Sequence, residues 1–568
     1  LPLSGTPAEL PNPWIRSTCG VGPLPCNGLY YAGPPSCACA NSVMLNGLNA
    51  LSAQPGFGKS GQAVEPVGKG SLEKGPAYSE VSNVKAAASS ADDWPTYRRD
   101  NARTGTTKAD VPAVLGKRWQ VKVGTRASAP VIAAGMVFVA DVDGHAVCAV
   151  SAADGEPVWR FTAEGRVDSP PTYHEGLVLF GSRDGTAYCL RASDGALAWR
   201  FRPLEPRVIC AYGQPESAWP ICGSVLMRDG LAYIAAGRNS FTDGGIFVYA
   251  LDPRTGKVVH QKRMYGPYDE RGFPIENREV VNGMSIEGFK GDIFIADDEL
   301  VYLRHQAFEP DLKPVELQDV KQPHVIPSHG FLEAIPQHRS FWTIDTMLHY
   351  DIPTGLGGIH GDILAIDGSR FYEVRGYAPG RTAWFDPRTS GYTLYAGTYG
   401  EAAKAAAKEK AAADAKAAAA EKAGADAKAT KRSGKKAAAK AAAATEAQAK
   451  KATAAKKRKA QAAASNVAPS TKLWTSSIPL TGKAITVAGD VVFVAGTPVI
   501  FPEDDLAAAY EGRMGGVLWA ASTADGEKLA EYKLDAPPTW DGLAAANGML
   551  FVSLADGRIV CMAPQEAK

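Results

Sequence analysis

The sequence predicts an all-β fold: a β-propeller of seven or eight four-stranded blades, eight being preferred, with a long Ala/Lys-rich helical insertion. One observation is a repeat in which a Cys follows an Asp by five residues, at 143–148, 184–189 and 556–561. Another is its period, because Asp154-Gly155 and Trp159 recur 40 residues later as Asp194-Gly195 and Trp199. Self-similarity at about 40 to 45 residues, with several short strands per period, is typical of propeller blades.

Pairs of predicted strands follow one another along the chain, and turns such as Asp-Gly join them into antiparallel hairpins. The pairs are 131–140 with 146–151, 177–181 with 187–191, and 231–236 with 246–251. Strands continue through 281–399, where long insertions break the regular spacing. Two further blades are predicted at 473–532 and 537–562.

Five segments are predicted from these patterns. They are a blade segment with a Cys-rich loop (1–52), a flexible linker (53–92), the main propeller blades (93–399), the Ala/Lys-rich helical insertion (400–470) and the closing blades (471–568). The linker is rich in Gly, Ser, Lys and Ala and has little periodicity. The chain begins at Leu1 in mid-pattern, which is typical of a fragment or a processed product.

Charge is distributed unevenly along the chain. Residues 401–460 hold 17 basic side chains against 6 acidic ones, whereas the whole chain has a net charge of only +1. Half of this segment is Ala, the strongest helix former. The segment 401–464 is therefore predicted to be a helical basic arm, either a solvated insertion or one that contacts an acidic surface such as a polyanion, a glycan or the propeller itself. It contains no aromatic residues to stack on bases, so no specific nucleic acid is expected.

Five repeat residues are predicted to pack blades together: Trp159, Trp199, Cys148, Cys189 and Cys561. A Trp at a fixed repeat position buries on the order of 200 Å² against the next blade. A free Cys on an apolar strand behaves as a small hydrophobic residue. Cys210 and Cys222 flank a short Gly/Pro-containing span and are the candidates for a disulfide. No CxxCH or paired CxxC motif occurs, and no apolar run is long enough to span a membrane.

Several motifs resemble the PQQ-binding-like (pyrroloquinoline-quinone repeat) propeller proteins of the planctomycete type, in the quinoprotein alcohol dehydrogenase-like superfamily. They include DWPTYRRDNARTG at 93–105, the blade sequence at 166–201 and ESAWPICGSVL at 216–226. The resemblance implies an exported or periplasmic propeller closed around a central channel. Quinoprotein dehydrogenases use a vicinal Cys-Cys pair beside the quinone, whereas Cys37 and Cys39 are separated by Ala38 here. The expectation is therefore no bound cofactor, with PQQ and Ca²⁺ as the alternative.

One group of residues is predicted to form a ligand site where loops surround the mouth of the channel. Arg238 would bind a carboxylate or phosphate and Trp219 would stack on a sugar ring, with Glu216 and Asp243 beside them. The structural interpretation is that Arg238 and Asp243 close a loop and Trp219 packs between blades. Five histidines lie within 324–360, at 324, 329, 338, 349 and 360, but their spacing matches no metal-site pattern.

No nucleophile elbow, P-loop or dinucleotide-binding motif is present. The leading hypothesis is an exported binding or assembly scaffold without an identifiable catalytic centre. A quinone-dependent oxidoreductase is the first alternative, and a glycan-binding or polysaccharide-processing propeller is the second. The enzyme question stays open, with a non-enzyme preferred because the vicinal cysteines are absent.

Overall fold

The computed structural model describes residues 22–33, 48–52, 70–81, 90–266, 276–332, 342–346, 359–376, 391–405 and 470–565, apart from isolated positions inside these ranges. The N-terminal elements are β1 (Leu24–Cys26), β2 (Leu29–Ala32), β3 (Asn49–Ser52), β4 (Ser71–Lys74), α1 (Tyr78–Val81), β5 (Thr106–Thr107) and β6 (Leu115–Lys122). Strands β1 to β3 form a small sheet of their own, and among the described residues they pair with no blade.

Eight further sheets of three to five strands follow one another along the described chain, and each contains one blade, while two two-stranded hairpins lie between them. Blade 1 is β7 (Val131–Ala133), β8 (Met136–Asp141), β9 (Ala146–Ser151) and β10 (Pro157–Thr162). Blade 2 is β11 (Thr172–His174), β12 (Leu177–Gly181), β13 (Ala187–Arg191) and β14 (Leu197–Arg202). After the hairpin β15 (Val208–Ala211) and β16 (Gln214–Ser217), blade 3 is β17 (Leu226–Arg228), β18 (Leu231–Ala236), β19 (Ile246–Leu251) and β20 (Val258–Met264).

The remaining blades begin after the hairpin β21 (Glu276–Val281) and β22 (Met284–Glu287). Blade 4 is β23 (Phe294–Ala296), β24 (Val301–Leu303), β25 (Gln306–Phe308) and β26 (Pro314–Val315), and blade 5 is β27 (His324–Pro327), β28 (Trp342–Asp345) and β29 (Ile359–Gly361). Blade 6 is β30 (Ile363–Asp367), β31 (Arg370–Arg375), β32 (Tyr392–Tyr399) and β33 (Ser470–Ile478). Blade 7 is β34 (Ala484–Ala488), β35 (Val491–Gly496), β36 (Gly516–Ser522) and β37 (Lys528–Leu534). Blade 8 is β38 (Pro538–Ala546), β39 (Met549–Leu554) and β40 (Arg558–Pro564), with β6 as its fourth strand.

The ring closes through strands from opposite ends of the chain. β6 pairs antiparallel with β40 and becomes the outermost strand of blade 8. The innermost strand of that blade, β38, contacts the innermost strands of both blade 7 and blade 1. These contacts confirm the predicted all-β propeller, and the described sheets give the preferred number of eight blades. The predicted strands at 177–181, 187–191, 231–236 and 246–251 coincide with β12, β13, β18 and β19.

The position of a strand in its blade explains its sequence. Inner strands such as β8 and β9 are buried on both faces, because each blade is packed between two neighbours. They are therefore continuous apolar runs. Outer strands such as β10 and β37 alternate between exposed and half-buried residues, because they lie at the rim. The apolar inner strands therefore make up most of the core.

Tryptophans on outermost strands contact the turn of the following blade. The indole Nε1 donates a hydrogen bond to a turn carbonyl at four junctions: Trp119 to Ala152, Trp159 to Ala192, Trp199 to Pro253 and Trp474 to Thr523, at 2.8 to 3.1 Å. A β-carbon on Gly195, the glycine of the repeated Asp-Gly turn, would come within 2.7 Å of the Trp159 ring. The repeat thus places a large flat ring over a glycine that leaves room for it. Cys148, Cys189 and Cys561 are free, buried thiols on third strands.

Part of the segment predicted to be a flexible linker (53–92) is packed on blade 2. β4 pairs with β14 as a fifth strand, and α1 follows it, with Val81 fully buried. The sequence did not indicate this strand, because its pairing depends on a distant edge rather than on its own pattern. Residues 53–69 and 82–89 lie outside the described residues.

The Ala/Lys-rich insertion lies between two neighbouring strands of blade 6. β32 ends at Tyr399 and β33 begins at Ser470, and these two residues are paired in the sheet. Residues 400–405 are helical, and Ala403 is buried, with its carbonyl oxygen accepting a hydrogen bond from Oγ1 of Thr471 at 3.0 Å. Almost all of 406–469 lies outside the described residues. The insertion therefore replaces the short turn that joins the third and fourth strands in other blades.

Candidate functional site

A stretch of chain before blade 1, residues 93–107, crosses the centre of the ring and is called here the channel segment. It makes backbone hydrogen bonds with the innermost strands of several blades, and Arg98 lies over the Trp342 ring of blade 5 at 4.4 Å. The remaining contacts are Trp94 with Ile132, Pro95 with Tyr173, Asn101 with Met227 and Ala296, Thr104 with Ile366, Thr106 with Val487, and Tyr97 with Asp541. The channel segment therefore contacts all eight blades.

The channel segment carries buried charges that are paired inside the protein. Nη1 of Arg98 lies 2.6 Å from Oδ1 of Asp541, and the hydroxyl of Tyr97 donates to Oδ2 of the same carboxylate at 2.6 Å. Burial, together with the Asp541 charge, raises the pKa of Tyr97 well above its usual value. The phenol therefore stays protonated and acts as a hydrogen-bond donor. This network holds the segment in place.

The loops that join second to third strands, and one blade to the next, share one face of the ring, called here the loop face. Three arginines converge there on two carboxylates. Nη1 of Arg183 is 3.0 Å and Nη2 of Arg238 is 2.5 Å from Oε2 of Glu216, and Nε of Arg166 is 3.0 Å from Oδ1 of Asp168. Nε of Arg183 also bonds to Asp168. The arginine cluster is these five residues, and it has one more positive than negative charge.

The four predicted site residues lie together on the loop face, although their contacts differ from the expected ones. Arg238 pairs with Glu216, while the carboxylate of Asp243 pairs with Arg207 at 2.8 Å. Burial raises the pKa of Asp243, and the neighbouring Arg207 and Arg238 oppose the shift. The predicted ion pair between Arg238 and Asp243 is therefore replaced by two others.

Trp219 is enclosed by the loops around it. Its side chain is 2% exposed, and Nε1 donates to the backbone oxygen of Asp243 at 2.7 Å. A ring that stacks on a sugar must offer one face to solvent, which this ring does not. The arrangement matches the packing interpretation of Trp219 better than the glycan-binding one.

The sequence did not single out Arg166, Asp168 or Arg183, the other members of the arginine cluster. Arg183 lies two residues after the end of β12, and Asp168 lies on the connection from blade 1 to blade 2. A charged residue close to the end of an apolar strand was the available signal. Their convergence depends on the closed ring, which brings loops of successive blades together.

Phe331 lies between the arginine cluster and the channel segment. Its carbonyl oxygen accepts a hydrogen bond from Nη2 of Arg183 at 2.7 Å, and its ring centroid is 5.2 Å from that of Tyr97. A cleft with a cavity volume of about 10 Å³, the space of about one water molecule, lies next to it and is lined by residues that include Lys290, Asp292 and His329. Small-molecule pockets usually measure about 300–1,000 Å³. The described part of the channel is thus largely filled by the protein itself.

The predicted histidines are distributed over blade 5 and its loops. His324 lies on β27 and His360 on β29, while His329 lies beside the cleft. His338 and His349 lie outside the described residues. Within the described ranges, no three His, Cys, Asp or Glu side chains are grouped closely enough to hold a metal ion.

The predicted Cys210–Cys222 disulfide is absent, since both residues are free thiols. Cys210 is exposed on the hairpin β15–β16, and Cys222 is buried further along the chain. The hairpin turns the first cysteine towards solvent, whereas the second enters the interior of the loop face. Burial raises the pKa of the Cys222 thiol to about 12, which makes it an unreactive packing residue.

The resemblance implies a quinone, which these residues would have to hold. The arginine cluster has the charge to attract carboxylates, but its cations are engaged with Asp168 and Glu216. The adjoining cleft is smaller than usual ligand pockets, and Phe331 lies beside it. Among the described residues, the cations of the arginine cluster are thus satisfied by carboxylates of the same chain, and no reaction step is derived through the quinone.

Comparison with known proteins agrees with the repeat resemblance. Residues 110–295 match a PQQ-type repeat family described as outer membrane protein assembly factor BamB. The curated outer membrane protein assembly factor BamB of Burkholderia pseudomallei (strain K96243) is 33% identical over 95 residues, which are 16% of this chain and 24% of that protein. The match thus spans about a quarter of the relative's length. It confirms the PQQ-type repeat in the first half of the propeller.

Two solved structures resemble the whole chain more distantly. The quinohemoprotein alcohol dehydrogenase ADHIIG of Pseudomonas putida HK5 aligns at 13% identity over 87% of this chain and 83% of that one, with a TM-score of 0.44. BamB of Moraxella catarrhalis aligns at 12% identity over 79% of this chain and 100% of that one, with a TM-score of 0.32. Separately, none of the helices in the described ranges is both long and apolar enough to cross a bilayer.

Proposed function

We propose that this protein is an exported binding or assembly scaffold whose partners bind the outside of the ring. The observation that carries the proposal is the channel segment, which occupies the centre and contacts every blade. A partner of the described propeller then has the outside of the ring available: the loop face, the opposite face and the outer strands of the blades.

The family match supports the same function. Its description, outer membrane protein assembly factor, concerns proteins that act in a bacterial envelope. By analogy, the chain would act outside the cytoplasm and hold other proteins. Fold likeness alone does not transfer an activity, so the proposal depends on the filled channel together with the repeat family.

In-cell photocrosslinking tests the proposal. Three variants each carry one photoreactive amino acid. The positions are Val158 on the outer strand β10, Asp143 on the loop face and, for comparison, Leu529 on the outer strand β37. All three side chains are about half exposed. The scaffold function predicts reproducible crosslinks to a small set of envelope proteins from at least one position. The absence of crosslinks from all of them, with quinone-dependent dye reduction by the purified protein, would contradict it.

A further inference from the structure

Strand β4 shows what binds to the outer edge of a blade in this protein. It pairs antiparallel with β14, with Leu72 opposite Phe201 and Glu73 opposite Arg200. Oε2 of Glu73 is 2.8 Å from Nε of Arg200. When an exposed sheet edge accepts an extended segment in this way, main-chain hydrogen bonds provide affinity and side-chain contacts provide specificity.

The outermost strand of blade 1, β10, shares three residues with β14, but no described strand covers its outer edge. β10 has Trp-Arg-Phe at 159–161 where β14 has it at 199–201, and no described strand pairs with its outer edge. Trp199 and Phe201 are 1% and 4% exposed under β4. Their counterparts Trp159 and Phe161 are only half-buried, and Val158 beside them is 47% exposed.

The main chain of β10 presents hydrogen-bonding groups to the outside. The amide of Ala163, which directly follows β10, donates to the carbonyl oxygen of His145 in the same blade at 2.7 Å. Because amide directions alternate along a strand, the amides of Arg160 and Thr162 point away from the blade. Unpaired amides and carbonyls at an edge are a template for another strand.

We infer that the outer edge of β10 is a docking site for an extended segment of a partner protein, added as a fifth strand as β4 is on β14. The inference rests on the proposed scaffold function. The matching segment has an apolar residue followed by an acidic one, like Leu72-Glu73. The apolar residue covers Phe161, and the acidic residue lies opposite Arg160.

Charge complementarity at Arg160 favours this occupant. Its side chain is 44% exposed, and one guanidinium nitrogen pairs with Asp141 at 2.7 Å. In blade 2, Arg200 binds Glu73 while also binding Glu164, so an arginine at this position accommodates two acidic partners. The other outermost strands with an open edge and a residue at each of these three positions differ from Trp-Arg-Phe and lack the arginine: His-Gln-Lys at 260–262 in β20, Trp-Thr-Ser at 474–476 in β33, Ala-Glu-Tyr at 530–532 in β37 and Trp-Gln-Val at 119–121 in β6. β10 is therefore the edge selected.

A peptide of this chain's own residues 69–81, labelled with a fluorophore, is the probe. Its polarisation is titrated with the full chain, whose blade 2 edge already holds β4. Thr162→Pro removes an outward amide while keeping the extended backbone. Lys533→Pro at the equivalent position of β37 is the matched control. We expect saturable binding that Thr162→Pro weakens at least about tenfold and that Lys533→Pro leaves unchanged.

Hydrogen exchange of the unmodified chain locates the bound peptide independently of any variant. The inference requires slower exchange at 157–162 when the peptide is present. No saturable binding, equal binding to the Thr162→Pro protein, or protection elsewhere would overturn it. Those results would leave the scaffold function standing if crosslinks from Asp143 still find envelope partners, so the two failures are distinguishable.

Discussion

Arg103 is the charged residue of the channel segment with the least access to solvent. It is 0% exposed, and it donates to the carbonyl oxygens of Phe294 and Tyr97 at 3.0 and 2.8 Å and to Oγ1 of Thr96 at 2.9 Å. Burial lowers its pKa to about 10, so the guanidinium stays charged at neutral pH. It joins the channel segment to blade 4 through Phe294 and links two parts of the segment through Thr96 and Tyr97.

Replacing Arg103 by Met should lower the free energy of unfolding by about 3 kcal/mol, because three buried acceptors lose a charged donor. Urea unfolding measures this loss. Arg99→Met is the matched control, since Arg99 belongs to the same segment but is partly exposed. Equal effects of the two substitutions would contradict the account of the channel segment.

His324 gives the propeller a specific acid sensitivity. It is buried and stacked on Tyr302, with ring centroids 3.7 Å apart, and burial lowers its pKa to about 4. The unfolded chain binds a proton near pH 6.5, whereas the folded one resists it until about pH 4. Its contribution to stability is thus fully present above pH 6.5 and is lost as the pH falls towards 4.

Lowering the pH from 7 to 4 should reduce the free energy of unfolding of both the wild type and the His324→Phe variant. The reduction should be about 2–3 kcal/mol larger in the wild type. Phe keeps the stacking surface but cannot be protonated. Urea unfolding at the two pH values provides the measurement. His260→Phe, on the outer strand β20, serves as the control and should retain the wild-type pH dependence.

The junction between blades is the element that the repeat specifies most clearly. At Gly256, φ is +68°, and an added β-carbon would lie 2.7 Å from Trp199 and from Leu72. At Gly230, φ is +75° with open space around it. Both positions disfavour a side chain because of their backbone, but only Gly256 lies under a ring.

Gly230→Ala should cost about 1 kcal/mol through its left-handed backbone alone. Gly256→Ala should cost about 2 kcal/mol more, because Trp199 or the turn must move. Comparing the free energies of unfolding of the two variants measures the blade contact directly. Similar losses would mean that the ring does not depend on this close fit.

The insertion in blade 6 should be separable from the propeller. Deleting 406–468 and joining the ends by a short turn leaves the pairing of β32 with β33 intact, so the free energy of unfolding should change by less than about 1 kcal/mol. Thermal unfolding tests this. If the basic arm contacts polyanions, the shortened chain should also elute earlier from a heparin column at low salt. A large loss of stability would show that the arm packs on the body.

How far the sequence predicts an element depends on where its hydrogen bonds go. β12, β13, β18 and β19 were predicted to the residue, because apolar strands and Asp-Gly turns are local signals. β4 was not predicted, because its four residues owe their conformation to the edge of β14. The channel segment was noticed only as a motif, since its partners belong to eight different blades.

The candidate site was predicted in the same partial way. Glu216, Trp219, Arg238 and Asp243 do lie together on the loop face, but their pairing depends on Arg183 and Arg207, which belong to other loops. Which face of Trp219 is covered cannot be derived from sequence order. The places where the repeat is interrupted therefore predicted which residues form the site. Which of them pair with each other depends on how the closed ring brings the loops together.

At the scale of the whole molecule, two features hold the propeller together: β6 closes blade 8, and the channel segment contacts every blade from inside. Both lie within residues 93–122, just before the first complete blade. A ring organised in this way has its centre occupied by its own chain. The surfaces that remain for partners are the outer edges and the two faces of the ring.

The most direct test of this account is a titration of the purified chain with pyrroloquinoline quinone and Ca²⁺, followed by the absorbance of the quinone and by dye reduction with added alcohol. A propeller whose centre is filled by its own chain should show no saturable binding and no turnover. Stoichiometric binding with quinone-dependent dye reduction would contradict the scaffold function and favour an oxidoreductase.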